Sequence, residues 1–206
     1  MENGLVHKCA LGLASKLNLY IGKEGLNYKK MVLGTEIVLI NISKLVVVYL
    51  LATMFGVIFY TAIMHFAYVA IKRFSFGLHA LNSTVCTIVS CTLFVAVPWI
   101  LQGAGIGNIV VFVIFVAVIL CLTKYAPSDT KARPLVGKAL RARLRKKAVI
   151  CGVVLLMVAL AVPNGEIKLL LTLGAVFQCA SILPITYQIL KRSERNYESY
   201  EQAGDA

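Results

Sequence analysis

Four apolar runs dominate this chain beyond residue 83, at roughly 84–101, 106–123, 148–162 and 167–190. Long runs with few charges are how transmembrane helices read, because a helix rising ~1.5 Å per residue needs about 20 apolar residues to cross a bilayer core. The bias extends to the whole chain, which is 59% apolar with a mean hydropathy of +0.82. A soluble domain sits nearer half apolar. A length of 206 residues leaves room for one domain of four to six spans and no separate soluble domain.

Charge placement sets the expected orientation. Nine basic residues (124, 131, 133, 138, 141, 143, 145, 146 and 147) face a single acid, Asp129, between Lys124 and Lys147. Nucleic acid would attract such a run, but its position between two spans makes the positive-inside rule the first explanation. Binding of acidic substrate or lipid can be layered on that. The short links at 102–105 and Pro163–Glu166 carry no basic residue and suit the outer side.

Residues 31–71 form a fifth apolar region, 41 residues long with no obvious turn, and it contains Glu36 and Lys44. A charge at mid-membrane costs about 2.5–3.5 kcal/mol on insertion scales, so neither belongs at a span centre. The basic N-terminus and Lys72-Arg73 both belong inside, which requires an even number of crossings. The expectation is a hairpin of two spans, with a dip that returns without crossing as the alternative.

No secretory signal is expected at the start, because residues 1–30 carry five lysines and no compact apolar core. Leu5, Cys9, Leu13 and Leu17 recur every four positions and form one stripe on a helix. That helix lies on the membrane surface or packs on the rest of the protein. The expected fold is therefore an all-α integral membrane protein. It has about six transmembrane helices, an N-terminal amphipathic surface helix and both termini in the cytoplasm. One membrane domain covers 1–206, with an N-terminal segment 1–30, a bundle 31–190 with a basic loop 124–147, and a tail 191–206.

The six cysteines show no C-x-x-C pair, and the three histidines complete no zinc pattern, so neither a disulfide framework nor a metal or cofactor is expected. The segment with chemical content runs from Lys72 to Cys86. Asn82, Ser83 and Thr84 are good helix N-cap residues, which would put Cys86 in the first turn of a span. A helix start carries partial positive charge and favours a thiolate. On one continuous helix His79 and Cys86 would lie about 10 Å apart along the axis, too far to hydrogen-bond. Gly77 and the break at Asn82-Ser83 allow His79 to fold back. Ser90 lies one turn beyond Cys86; a membrane serine there more commonly bonds the carbonyl four residues back than assists a reaction.

The stretch from Lys72-Arg73 through Gly77-Leu78-His79-Ala80 to Cys86 resembles the basic–Gly-x-His-Ala–x5–Cys signature of the accessory gene regulator B (AgrB) family. Tyr125-Ala126-Pro127, followed by Thr130-Lys131 and Pro134, resembles that family's Y-A-P-x-x-T-K-x-x-P loop. Leu183-Pro184-Ile185 is a third, weaker match, and order and hydropathy agree over essentially the whole chain. There are departures. The family often has a small pair before x-His, where this chain has Phe76-Gly77. Lys72 stands where Arg is common, which removes a bidentate guanidinium from that position.

The resemblance implies a membrane cysteine endopeptidase that trims an AgrD-like pro-peptide and closes its thiolactone or lactone ring. Cys86 would be the nucleophile and His79 the general base. Lys72, Arg73, Lys131 and Arg133 would bind the substrate, whose acidic C-terminal tail suits the basic loop. The implied partners are that pro-peptide, the lipid bilayer and a second copy of the chain, most simply in a homodimer, with no nucleic acid. The competing reading is a small transporter or peptide-export component without covalent chemistry. Glu36, Lys44 and the prolines at 98, 163 and 184 would fit a pathway, although no inverted repeat relates the two halves.

Overall fold

The computed structural model describes residues 5–78, 83–130, 135–191, 193, 196–198 and 201. His79, Lys131 and Arg133 lie outside them. The described residues form helices and no strand beyond an isolated bridge. In order these are α1 (Leu5–Ile21), α2 (Gly25–Met54), α3 (Ile58–Ser75), α4 (Ser83–Cys91), α5 (Val97–Ile100), α6 (Asn108–Tyr125), α7 (Lys138–Ala161), α8 (Gly165–Ile182) and α9 (Pro184–Ile189). A π-helical turn, Thr92–Ala96, joins α4 to α5, so 83–100 is one continuous apolar segment with Pro98 near its end. Three helices, α2, α6 and α8, are long and apolar enough to cross a membrane by length and composition.

The apolar region 31–71 is a helical hairpin. It breaks at Phe55–Val57, where Gly56 takes φ +69° and the Phe55, Gly56 and Val57 amides close the end of α2. No Pro or Asn marks this turn; one glycine in the left-handed region is enough to reverse the chain. A contact between Tyr49 and His65 sets the register, with the Tyr49 hydroxyl 3.3 Å from His65 Nδ1.

α1 packs antiparallel on the first half of α2 through Ala10 and Ala14, both fully buried, while Leu13 and Leu17 stay exposed. Cys9, Leu13 and Leu17 of the stripe thus face outward and the small residues between them face the protein. His7 meets Glu36 at 3.3 Å across this pair, so one of the two charged residues of the 31–71 region has a local partner.

The centre of the bundle is α3 against α8, flanked by α6 and α7. Gly174 of α8 permits the approach. A Cβ there would run into the Met64 carbonyl and come within 2.9 Å of Ala67 Cβ. Small residues at such crossings let backbones approach, which is the usual source of affinity between helices in lipid. Fully buried Phe115, Leu122, Ile71 and Ala175 fill the space among α3, α6 and α8. At one end of the bundle the Ile106 amide donates to the Gly165 carbonyl, Lys168 Nζ donates to Asn108 Oδ1, and Tyr60 donates to Glu166.

The basic stretch 124–147 is mostly helix. Lys124 stands in the last turn of α6, and six of the nine basic residues stand on α7, from Lys138 to Lys147. Lys and Arg are good helix formers, and nothing after Gly137 breaks the helix. Among the described residues of this stretch, only 126–130 and 135–137 are non-helical.

Candidate active site

Three sequence motifs distant along the chain meet at the opposite end of the bundle from the Ile106–Gly165 contact. α3 ends in Phe76, and Phe76 bridges Ser128. The Ser128 amide donates to the Ser75 carbonyl and the Gly77 amide to the Ser128 carbonyl, at 2.9 and 3.1 Å. The Leu78 amide donates to the Ser181 carbonyl at 3.2 Å. Beyond Pro184, fully buried Tyr187 accepts a bond from Ser128 Oγ and donates to the Asp129 carbonyl, both at 2.9 Å. The Gly-x-His segment, the Y-A-P loop and the Leu-Pro element are therefore held as one unit.

Local residue choice explains that unit. Gly77 has φ +105°, and a Cβ there would come within 2.7 Å of Ser181 Oγ. Phe76 takes φ +57°, ψ −122°, a region that glycine visits freely and a side chain occupies at a cost of about 1–3 kcal/mol. The small pair common before x-His in the family pattern has this backbone reason, and Phe76 accepts the strain. Gln178 offsets it: its buried amide donates to the Phe76 carbonyl at 2.7 Å and to Ser75 Oγ at 2.8 Å.

Beside this unit lies a chamber of about 700 Å³ between α2, α3, α4 and α8. Cys86, the fourth residue of α4 and half-buried, is on its wall. Lys44, His65, Tyr68, Lys72, Leu78, Ser90 and Ser181 line it too, with apolar walls from Leu45, Val48, Val69, Leu93 and Phe177. No carboxylate is among the described lining residues, so the chamber is apolar and cationic. Lys72 Nζ donates to the Tyr68 hydroxyl at 2.7 Å. His65 stacks on Phe94 with ring centroids 4.8 Å apart.

The sequence-derived residues are distributed unevenly. Cys86 and Lys72 share the chamber. Arg73 points elsewhere, exposed, its guanidinium 5.9 Å from the Phe74 ring centroid. Ser90 lines the chamber and makes no back-bond to the Cys86 carbonyl among the described residues. Lys44 and His65 were not singled out as site residues, although His65, Tyr68 and Lys72 fall at i, i+3 and i+7 on one face of α3, a spacing that could have marked them. Gln178 carried no local signal in an apolar span.

The remaining non-helical segment is also braced. Arg145 Nε donates to the Ala126 carbonyl at 2.8 Å. Buried Asp129 accepts the Asn196 and Tyr197 amides, at 3.1 and 2.8 Å. The C-terminal tail thus returns to the Y-A-P loop.

Comparison with known proteins gives a consistent result. The profile of the family described as accessory gene regulator B matches residues 9–182. An AgrB-like protein of Clostridium acetobutylicum is 40% identical over 201 residues, covering 98% of this chain and 96% of its own. An AgrB-like protein of Listeria innocua is 41% identical over 174 residues, 84% of this chain and 85% of its own. The accessory gene regulator protein B of Staphylococcus intermedius is 31% identical over 185 residues, 90% and 95% of the two chains. No solved structure matches.

Proposed function

The chain belongs to the accessory gene regulator B family, an all-α membrane family of the agr quorum-sensing system, and from that premise we propose that it is a cysteine endopeptidase that cleaves and cyclises an AgrD-like pro-peptide. The observation that carries this reading is the chamber. It places the Cys86 thiol beside apolar walls and two lysines, directly next to the braced segment that leads into His79.

In the proposed course His79 takes the Cys86 proton and Sγ attacks the carbonyl carbon of the scissile amide. The tetrahedral oxyanion collapses, the amine of the departing tail takes the proton from His79, and a thioester remains on Cys86. A thiol or hydroxyl within the peptide then attacks that thioester. His79 takes the proton of that nucleophile, Cys86 leaves as thiolate and the ring is closed. No water enters. Turning the scissile amide into a thioester is uphill and is drawn forward by protonation and departure of the tail, after which the thioester keeps the acyl group activated. Exchange of one thioester for another is nearly isoenergetic apart from ring strain, and closing a short loop costs little entropy. An apolar chamber serves by holding the internal nucleophile close and limiting hydrolysis.

Lys72 and Lys44 provide positive charge for acidic groups of the substrate, and Lys131 and Arg133 extend that field along the Y-A-P loop. Arg73, exposed on the same end, contributes at long range. Six crossings made by α2, α3, the 83–100 segment, α6, α7 and α8 put this end in the cytoplasm by the positive-inside rule. The direct test is replacement. Cys86→Ala should abolish tail removal and His79→Ala should nearly do so, since an unassisted thiol is only a few per cent thiolate at pH 7. Replacing Cys9, Cys91, Cys121, Cys151 and Cys179 together should leave activity. Loss of activity in that folded five-cysteine variant, or cleavage by Cys86→Ala, would overturn the assignment. Activity indifferent to thiol alkylation would favour the export reading.

A further inference from the structure

Glu201 lies in a fitted carboxylate receptor. Its Oε1 accepts from Arg141 Nη1 at 2.7 Å and from the Gly137 amide at 2.9 Å, and Arg141 Nη2 reaches Oε2 at 3.2 Å. The receptor is rigid on its cationic side. Arg141 Nη1 also donates to the Leu135 carbonyl at 2.9 Å, and the guanidinium stacks 3.8 Å from the Tyr197 ring centroid. Gly137 is the N-cap of a 24-residue helix, so its amide presents the positive end of the α7 dipole. A planar fork plus a backbone donor is the arrangement that recognises carboxylates rather than general negative charge.

We propose that this cradle is a subsite for a carboxylate of an acidic peptide segment, and that the chain's own Glu201 fills it as a resident competitor. The proposal rests on the peptidase reading for the identity of the incoming peptide. Two observations support displacement rather than a permanent clasp. The tail keeps a second, independent attachment, through the Asp129 carboxylate and the Asn196 and Tyr197 amides, so releasing Glu201 does not release the tail. The Glu201 side chain keeps 27% of its surface exposed, so an incoming carboxylate reaches the pair from solvent.

Occupancy in cis weakens apparent affinity for a ligand in trans, and removing the competitor restores it. The test uses purified full-length protein in detergent and a fluorescein-labelled hexaglutamate peptide, read by anisotropy. Glu201→Gln should bind it at least about twofold more tightly than the parent, because the resident carboxylate no longer competes. Arg141→Met should bind it more weakly than the parent, and adding Glu201→Gln to Arg141→Met should bring no gain. Glu201→Ala provides the same comparison where Glu201→Gln keeps a neutral hydrogen bond. Equal affinity of parent and both Glu201 variants, or the same gain with and without Arg141, would overturn the proposal. Because the readout is binding, it is separate from the peptidase reading: loss of cleavage specificity for Cys86 would sink that reading and leave this result standing.

Discussion

The side-chain amide of Gln178 donates to the backbone carbonyl of Phe76 across 2.7 Å, joining the middle of the membrane bundle to the residue three positions before His79. The same amide donates to Ser75 Oγ, and its Oε1 has no partner among the described residues. A buried amide that spends both N–H groups on one turn of backbone fixes that turn. Gln178→Leu removes both bonds and leaves a buried carbonyl unpaired, at a cost of about 1–3 kcal/mol. Its catalytic signature should be a fall in kcat of about tenfold or more with little change in KM. Gln178→Glu, which keeps the size but loses the donors, should not rescue. A KM effect alone would show that Gln178 serves packing and not the placement of His79.

Phe76 and Gly77 allow strain to be separated from packing. Phe76→Ala and Phe76→Gly lose the same ring, but only glycine is at ease at φ +57°. Phe76→Gly should therefore be more stable than Phe76→Ala by about 1–2 kcal/mol, reversing the usual penalty for glycine. Equal stabilities in thermal unfolding would mean that the turn relaxes and stores no strain.

The Phe76–Ser128 bridge requires 72–78 and 126–130 to lie on one side of the bilayer, whichever side that is. Cysteines introduced at Arg73 and Ser128 should react with the same impermeant reagent from the same face. Cysteines at Gln102 and Asn164 should react from the other. Mixed labelling of the first pair would break the arrangement.

Glu201 gives the tail a pH dependence. Arg141, then the Gly137 amide, hold its carboxyl below the usual carboxylate range, with Lys138 adding to the effect. A depressed folded pKa means the contact is fully present above the unfolded value of about 4.3 and is lost as pH falls through the folded value. The NMR signal of the Arg141 guanidinium should shift only at acidic pH, below about 4, as the contact is lost. Glu201→Gln should abolish that step. A transition near neutrality would point to another group.

Much of this architecture was legible in the chain. Continuous apolar runs and clustered basic residues were enough for an all-α membrane protein, because a bilayer punishes exposed backbone and charge directly. The hairpin in 31–71 followed from charge parity, yet its turn was invisible, since one glycine reverses the chain without the polar residues that mark turns in water. The start of α4 at Ser83 followed from N-cap chemistry. The helical part of 124–147 was missed because charge density suggested a loop, whereas Lys and Arg favour helix once outside the apolar layer. His65 carried no signal of its own, and Lys44 reads from sequence as a pathway charge and not as a neighbour of Cys86, for a different reason. A chamber is made by several helices at once, and no single helix records what the others bring. Gln178 is the sharpest case, as its partners are backbone atoms about a hundred residues away.

The central claim is an acyl-enzyme on Cys86 that is released by cyclisation. It is tested most directly with a pro-peptide whose internal cysteine is changed to alanine. The tail should still be cut, and the remaining peptide should stay attached because its internal nucleophile is gone. Mass spectrometry of the purified protein should show that peptide on Cys86, in a bond cleaved by hydroxylamine. Rapid release of linear peptide with no adduct on Cys86 would contradict the account.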